Sequence, residues 1–267
     1  MKQLWSISMK LVNSSIARPL ILVVGLLVGW ELAIKIFAIK PYLVPEPLAV
    51  IHQMISEWPH LWRETLVTTY AALGGFAFSM VFGIPVAMLI AHSKLVESYV
   101  YPLLVFSQSV PKIAVAPLLV VWFGFGIAPK IITAFLLGFF PVVVSTVVGF
   151  KSVDSEMLDL VRSMKASRWQ VFLKISLPHA LPSIFSGLKV SITLAVVGAV
   201  VGEFVGANSG IGYVLQIANG NFDLPLMFAA LVILSLVGVV LFAAVEFAER
   251  LMIPWHVSHR RDFVATA

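Results

Sequence analysis

The chain has 267 residues, of which 60% are hydrophobic and 12% charged, with 18 Lys plus Arg against 13 Asp plus Glu. Soluble domains carry about 25% charged residues, so this composition excludes an ordinary globular protein and marks an integral membrane chain. The net charge of +5 does not indicate a nucleic-acid binder, because the basic residues are scattered at the ends of apolar runs and form no patch interleaved with polar aromatics. With no cysteine, disulfides and thiolate metal sites are excluded.

Residues 1–18 carry Lys2, Lys10 and Arg18 ahead of the first apolar run. That run continues too far for a signal peptide and shows no small-residue cleavage site, so it reads as a retained span behind a cytoplasmic N-terminal segment. A bilayer crossing takes about 20 predominantly apolar residues. Six stretches qualify: Pro19 to Ile39, Leu66 to Ala91, Tyr99 to Ile127, Ile131 to Phe150, Ile184 to Gly206, and Leu224 to Val245. With the N-terminus inside, twelve basic residues fall in inner segments: Lys2, Lys10, Arg18, Lys94, Lys151, Arg162, Lys165, Arg168, Lys174, Arg250, Arg260 and Arg261. Four fall outside, Lys35, Lys40, Arg63 and Lys130, while Lys112 and Lys189 lie within spans. The asymmetry predicts six transmembrane helices in an all-α, N-in/C-in arrangement. Residues 19–250 form one six-span domain and 251–267 a cytoplasmic tail.

Between the first two spans, Val44 to Trp58 has Pro47 at a helix start and Ile51, Met54, Ile55 and Trp58 at helical spacing. A short helix in the outer interface is expected. The third span contains Pro111 and Pro117 around Lys112, so it should be broken and face the protein interior. The outer segment Ala207 to Asp223, with Ser209-Gly210 and Asn219-Gly220 pairs, reads as a turn, a half-buried short helix and a second turn.

The charged interlude 151–182 stands apart from this apolar background. Asp154, Glu156 and Asp159 precede Arg162 and Lys165, the order that complements a helix dipole, which predicts a helix from about Asp154 to Lys165. Ser167 and Gln170 then have capping-box spacing, so a second helix should begin there and stop before Pro178. Leu160, Val161 and Met164 form an apolar strip on the first helix, followed by Trp169, Phe172 and Leu173 on the second. Periodicity leaves open whether these strips lie against the membrane domain or meet a partner.

The interlude resembles the cytoplasmic EAA loop of ABC importer permeases. Counting back from Ile175, Leu177 and Pro178, the acidic position falls on Asp159, the two alanines on Leu160 and Val161, and the glycine on Lys165. The closing half matches and the opening half departs. A wider resemblance, to the nitrate, sulfonate and taurine branch of these permeases, is carried by Pro45 and Pro47, PKIAVAPLLVVWFGFG from Pro111 to Gly126, ASRWQVFLKISLPHALP from Ala166 to Pro182, and GEFVGANSGIGYV from Gly202 to Val214. It implies a type I importer (MetI-like) membrane domain in a bacterial inner membrane, in contact with lipid and free of any cofactor of its own. Its implied partners are a second permease copy, a pair of ATP-binding subunits that hold ATP and Mg, and an external solute-binding protein. The coupling residues it implies are Asp159, Val161, Met164, Lys165, Ala166, Ser167, Arg168, Trp169 and Pro178. The implied cargo is a small anion such as a sulfonate, taurine or nitrate, with pyrimidine vitamin precursors or aromatic acids as the alternative. A lysine at the usual glycine position would occupy a left-handed corner at a cost of about 1 kcal/mol.

Candidate pathway or gate residues are Lys112 and Glu203, ionisable groups inside spans. Ser107, Gln108 and Ser109 join them beside the broken span, and Asn208 and Ser209 in the outer segment. Glu31 and Lys35 have the i, i+4 order of an ion pair. Lys189, roughly 21 Å from Glu203 along a helix, reads as snorkelling, and Glu246 and Glu249 beside Arg250 as a solvated helix end. Gly74, Gly75 and Gly83 read as helix-packing positions, and His256 and His259 are too few for a metal site. No G-x-x-x-x-G-K-[ST] stretch is present, so ATP hydrolysis is not expected of this chain. An intramembrane enzyme would need clustered acid-base groups, and a free-standing carrier leaves the two-helix interlude unexplained.

Overall fold

The computed structural model describes residues 17–40 and 43–255. Lys2, Lys10, His256, His259, Arg260 and Arg261 lie outside the described residues. Among the described residues every regular element is helical: α1 (Ala17–Ile36), α2 (Pro47–Ser56), α3 (Trp58–His92), α4 (Lys94–Ser109), α5 (Lys112–Phe123), α6 (Ile127–Lys151), α7 (Ser155–Ser163), α8 (Arg168–Val171), a π-helical turn at Phe172–Ser176, α9 (Leu177–Gly206), α10 (Ile211–Gly220) and α11 (Leu224–Met252).

Four of these are long and apolar enough to cross a membrane: α3, α6, α9 with its preceding turns, and α11. The pair α4 and α5 makes a fifth if counted as one bent span. The first expected span corresponds to α1, which is not counted among the five.

The chain divides into two units. The smaller holds residues up to Leu61 together with Leu215–Val232. There Trp30 meets Phe228 with ring centroids 5.6 Å apart, and Glu31 pairs with Lys35 at 2.7 Å as the i, i+4 spacing predicted. Pro47 occupies the first turn of α2, where its missing N–H costs nothing.

The larger unit holds Trp62–Val214 and the chain from Ile233 onward. Its centre is the crossing of α3, α6 and α9, built on small residues: Ala71, Ala72, Ala134, Ala195 and Ala199 are all fully buried. Gly75 on α3 and Gly198 on α9 both face Ala134, and a Cβ on Gly198 would lie 2.6 Å from the Ala134 Cα. The three backbones therefore meet where no larger side chain fits, the device by which helices approach closely in lipid. Gly74 and Gly83 lie against Ile131 and Val142 of α6 in the same way, so the three glycines read from the sequence are packing positions. One further layer joins Val142, Phe150, Ala180, Ile184, Phe185 and Leu188 with Ile253. Another joins Ala87, Ile90, Val143 and Val147 with the partly buried Val96, Val100 and Leu104 of α4.

Three expectations are corrected. The third span is broken as foreseen, by 91° between α4 and α5, at Val110, whose extended backbone is what a residue before proline adopts. It faces this chain's interior only in part: α4 has Val96, Val100 and Leu104 partly buried and no side chain fully so, and α5 buries Ala116 and Leu119. The helix that begins at Arg168 does not stop before Pro178. It runs on through the π-helical turn into α9, 39 residues in all, because Pro178 follows directly on a turn whose i→i+5 bonding already departs from the α-helical ladder. The turn expected at Asn219-Gly220 sits two residues later, at Asn221 and Phe222, with Phe222 at φ 57°.

Candidate functional site

Three constellations gather the polar residues that the sequence singles out. The first lies at the C-terminal end of α9. Glu64 and Thr68, one turn apart on the same face of α3, meet Glu203 from α9, Lys130 from the first turn of α6, and the segment that opens α10. Glu203 is 0% exposed, Thr68 1%, Lys130 2% and Glu64 4%. The Thr68 hydroxyl donates to Glu203 Oε1 at 2.9 Å and accepts from the Ile211 N–H at 2.8 Å. The Gly212 N–H donates to Glu203 Oε2 at 2.8 Å and the Gly210 N–H to Glu64 Oε2 at 2.6 Å.

Helix starts leave N–H groups without intrahelical partners and favour negative charge. Here two carboxylates and a hydroxyl satisfy three consecutive donors, Gly210 to Gly212, where α10 begins. Lys130 Nζ lies 3.7 Å from Glu203 Oε1 and donates to the Ser209 carbonyl and hydroxyl at 2.8 and 3.2 Å, while Arg63 donates to Glu64 at 3.2 Å. Glu203, Glu64 and Lys130 are thus withdrawn from water, while Arg63 brings a second positive charge to Glu64 from the exposed surface. Gly210 has φ 100°, and any Cβ there would overlap the Glu203 carboxylate.

Of the expected gate residues, Glu203 and Ser209 come together here, and Asn208 is exposed in the adjoining turn. Glu64, Thr68 and Lys130 were not foreseen. Lys130 reads in the sequence as a flanking charge, yet the fold buries it. The only signal for the other two was the Glu-x-x-x-Thr spacing on one helix face.

The second constellation sits at the break between α4 and α5. Gln108, Lys112 and Phe140 line a cavity of about 320 Å³, with Pro111, Leu137 and Leu194 among its other walls. Lys112 Nζ donates to Gln108 Oε1 at 3.3 Å and lies 5.9 Å from the centre of the Phe140 ring. Ser107 donates to the Leu104 carbonyl at 2.7 Å, a bond within its own helix, and Ser109 ends α4.

The third is the interlude. Ser167 accepts from the Gln170 N–H at 3.2 Å while Gln170 Oε1 accepts from the Ser167 N–H at 2.8 Å, completing the expected capping box. Lys165 stands at φ 58°, the left-handed corner that the missing glycine predicted. Asp159 and Val161 lie on α7, with Ala166 at the corner and Arg168 opening α8. Leu160, Met164 and Trp169 are 63%, 74% and 66% exposed, so this chain leaves much of the apolar strip uncovered.

Trp169 stacks on Phe172 at 5.6 Å, Phe172 on Phe150 at 5.9 Å, and His92 approaches both phenyl rings at about 6 Å. This column joins α8 to the ends of α3 and α6. Nearby, Lys151 pairs with Glu97, and Lys189 pairs with Glu249, which is buried. Lys189 therefore ties α9 to α11 rather than snorkelling, and Glu249 is not a solvated helix end. Glu246 does pair with Arg250, at 2.7 Å. Among the described residues no three His, Asp or Glu side chains cluster as metal ligands.

A bent apolar span, a charge-latched short helix and an exposed amphipathic corner define a membrane transport component. Residues 79–254 match the family described as binding-protein-dependent transport system inner membrane component, and the chain belongs to that family of ABC importer permeases. It is 40% identical over 89% of its length to the formylaminopyrimidine transport permease protein ThiX of Halalkalibacterium halodurans, covering 95% of that protein. It is 36% identical to the riboflavin transport system permease protein RibX of Chloroflexus aurantiacus, over 87% of this chain and 88% of the other. It is 30% identical to the putative aliphatic sulfonates transport permease protein SsuC of Bacillus subtilis, over 86% and 84%. The fold is similar to that of a chain in the inward-facing MetNI methionine ABC transporter, with TM-score 0.62, 21% identity, and coverage of 74% of this chain and 97% of that one.

Proposed function

We propose that this chain is the pathway-forming permease of a bacterial cytoplasmic-membrane importer, working as a pair of copies with a dimer of ATP-binding subunits that carry ATP and Mg. A solute-binding protein delivers the cargo from the other side. In this reading residues 19–250 make six spans with both termini inside, flanked by the 1–18 segment and the 251–267 tail. The loop 151–182 is the coupling element. Asp159, Val161, Met164, Lys165, Ala166, Ser167, Arg168 and Trp169 meet the ATP-binding subunit, and Pro178 marks where the loop passes into the membrane. Ser107, Gln108, Ser109 and Lys112 line the pathway, while Glu203, Asn208 and Ser209 belong to its gate. Transport follows from alternating access, with ATP favouring the closed state of its subunits and so biasing the permease.

The observation that carries this reading is the corner at Lys165 to Ser167. A left-handed residue and a capping box turn two short helices so that Leu160, Met164 and the outer face of Trp169 project with much of their surface uncovered by this chain. The cargo class follows the relatives: a pyrimidine-type vitamin precursor is the first reading. A small sulfonate-like anion is the second, favoured by Lys112 as the cation at the broken span.

The test is co-purification of the chain with its ATP-binding subunit, followed by ATP hydrolysis in liposomes with the solute-binding protein present. Formylaminopyrimidine, riboflavin, taurine and nitrate are compared. Hydrolysis stimulated by one solute, and abolished by Ala166→Glu with Ser167→Glu, is expected. An ATP-binding subunit that never associates sinks the proposal.

A further inference from the structure

The corner formed by α7 and α8 has no interior of its own: among its described residues from Ser155 to Val171 none is buried. Its orientation therefore depends on what lies behind it, and there stands the aromatic column of Trp169, Phe172, Phe150 and His92. The π-helical turn decides which ring takes the middle place. Phe172 and Leu177 pack on one core layer together with Phe150 and Leu188. Five residues apart on an α-helix, they would point about 140° away from each other. The Leu177 N–H instead bonds the Phe172 carbonyl and closes an i→i+5 turn, whose wider winding brings both side chains to one face. Leu173, which α-helical spacing from Leu177 would turn inward, is 42% exposed. The turn thus selects Phe172, not Leu173, as the side chain behind Trp169.

The stacks are close to parallel, with 23° between Trp169 and Phe172 and 15° between Phe172 and Phe150, in the range that the ring quadrupoles favour when the faces are offset. His92 stands across both phenyl rings, at 62° to Phe150 and 59° to Phe172. Its Nδ1–H donates to the Met88 carbonyl at 2.9 Å, which fixes the ring to the last turn of α3. Each ring in the column therefore belongs to a different helix from at least one ring it touches. Side chains packed in contact have discrete arrangements and do not slide past one another continuously, so a displaced ring moves its neighbour or breaks the stack.

We infer that this column is a relay, in which Phe172 is the positioning residue that carries movement of a docked corner to α6 through Phe150 and to α3 through His92. The backbone already links the corner to α6 and α9, its neighbours in sequence, but not to α3; His92 supplies that third connection. The inference rests on the permease reading and deepens it by naming the residues through which the coupling element acts on the spans.

The experiment uses the full complex of this chain with its ATP-binding subunit, and compares amide hydrogen exchange without nucleotide and with ATP plus vanadate, which holds the ATP-binding subunits closed. In the wild type, exchange over residues 86–92 and 146–151, the ends of α3 and α6, should differ about fivefold between the two conditions. Phe172→Leu should bind the ATP-binding subunit within about threefold of the wild-type affinity yet lose that difference in both segments, and Phe172→Tyr should restore it. His92→Ala should lose it over residues 86–92 and keep it over 146–151, a split that a general loosening of the fold does not produce. A full response in Phe172→Leu, or a His92→Ala protein that loses both responses or neither, overturns the relay, as does a wild-type complex in which neither segment responds; in each case the assembled complex leaves the permease reading standing. Should Phe172→Leu not assemble, the His92→Ala split decides. Failure of the wild-type chain to assemble with the ATP-binding subunit overturns the permease reading first, and the relay with it.

Discussion

At the C-terminal end of α9, Glu203 is withdrawn from solvent and pairs with Lys130, Thr68 and the α10 backbone. At the other end, the helix that leads into α9 begins among exposed polar groups and carries the apolar Trp169 outward. One region buries charge and satisfies it; the other exposes apolar surface and leaves it uncovered. A buried network of this kind holds a single geometry, because every member lost strands another. An uncovered apolar strip holds nothing in place by itself and gains its energy when something docks. The rigid end and the receptive end are thus distinguished by what each does with the residues that suit it least.

The largest expected effect breaks the rigid end. Lys130→Ala leaves two buried carboxylates facing each other and should lower stability by about 3–5 kcal/mol, seen as loss of the monodisperse peak in a heated detergent chromatography series. Adding Glu203→Gln to that variant should recover part of the loss, and a Lys130→Ala protein as heat-resistant as wild type would dissolve the contrast. Gly210→Ala comes next, at about 2 kcal/mol or more, since it combines a left-handed backbone with overlap on Glu203; the same heating series reads it.

The receptive end is broken at a smaller cost in stability. Trp169→Ala gives up one exposed ring stack on Phe172 and should melt close to wild type, yet bind the ATP-binding subunit about 30-fold more weakly, the cost of about 2 kcal/mol expected of an aromatic anchor, measured by surface-immobilised titration. Equal affinity would mean that Trp169 is not part of the docking face. The smallest effect sharpens the comparison: Lys165→Gly relieves φ 58° and should stabilise the corner by about 1 kcal/mol. Slower hydrogen exchange over residues 155–171 would register it.

Local signals explain how much of this was legible. The capping box at Ser167 and Gln170, the break at Val110-Pro111 and the turn before α10 all depend on neighbours in sequence, and each appears where the residues place it, while the left-handed residue at Lys165 follows from the resemblance, which has a glycine there. The network around Glu203 depends on residues far apart in the chain, from Glu64 to Gly212, and no periodicity brings them together. Lys130 reads as one more flanking charge until α9 and α10 close over it. Glu249 reads as solvated for the same reason, since Lys189 reaches it from another helix. Pro178 misleads in the opposite sense, because a stop signal for an α-helix loses its force behind a π-helical turn.

That π-helical turn has a mechanical meaning. Since Arg168 to Gly206 is continuous, no slack separates the exposed corner from the buried charges. The rod measures roughly 58 Å at 1.5 Å per residue, so a tilt of about 5° around the Glu203 end displaces Arg168 by about 5 Å. In the coupling role proposed for the corner, the tightly held end serves as a fulcrum and the corner as the handle of a lever that includes five residues wound slightly wider than the rest.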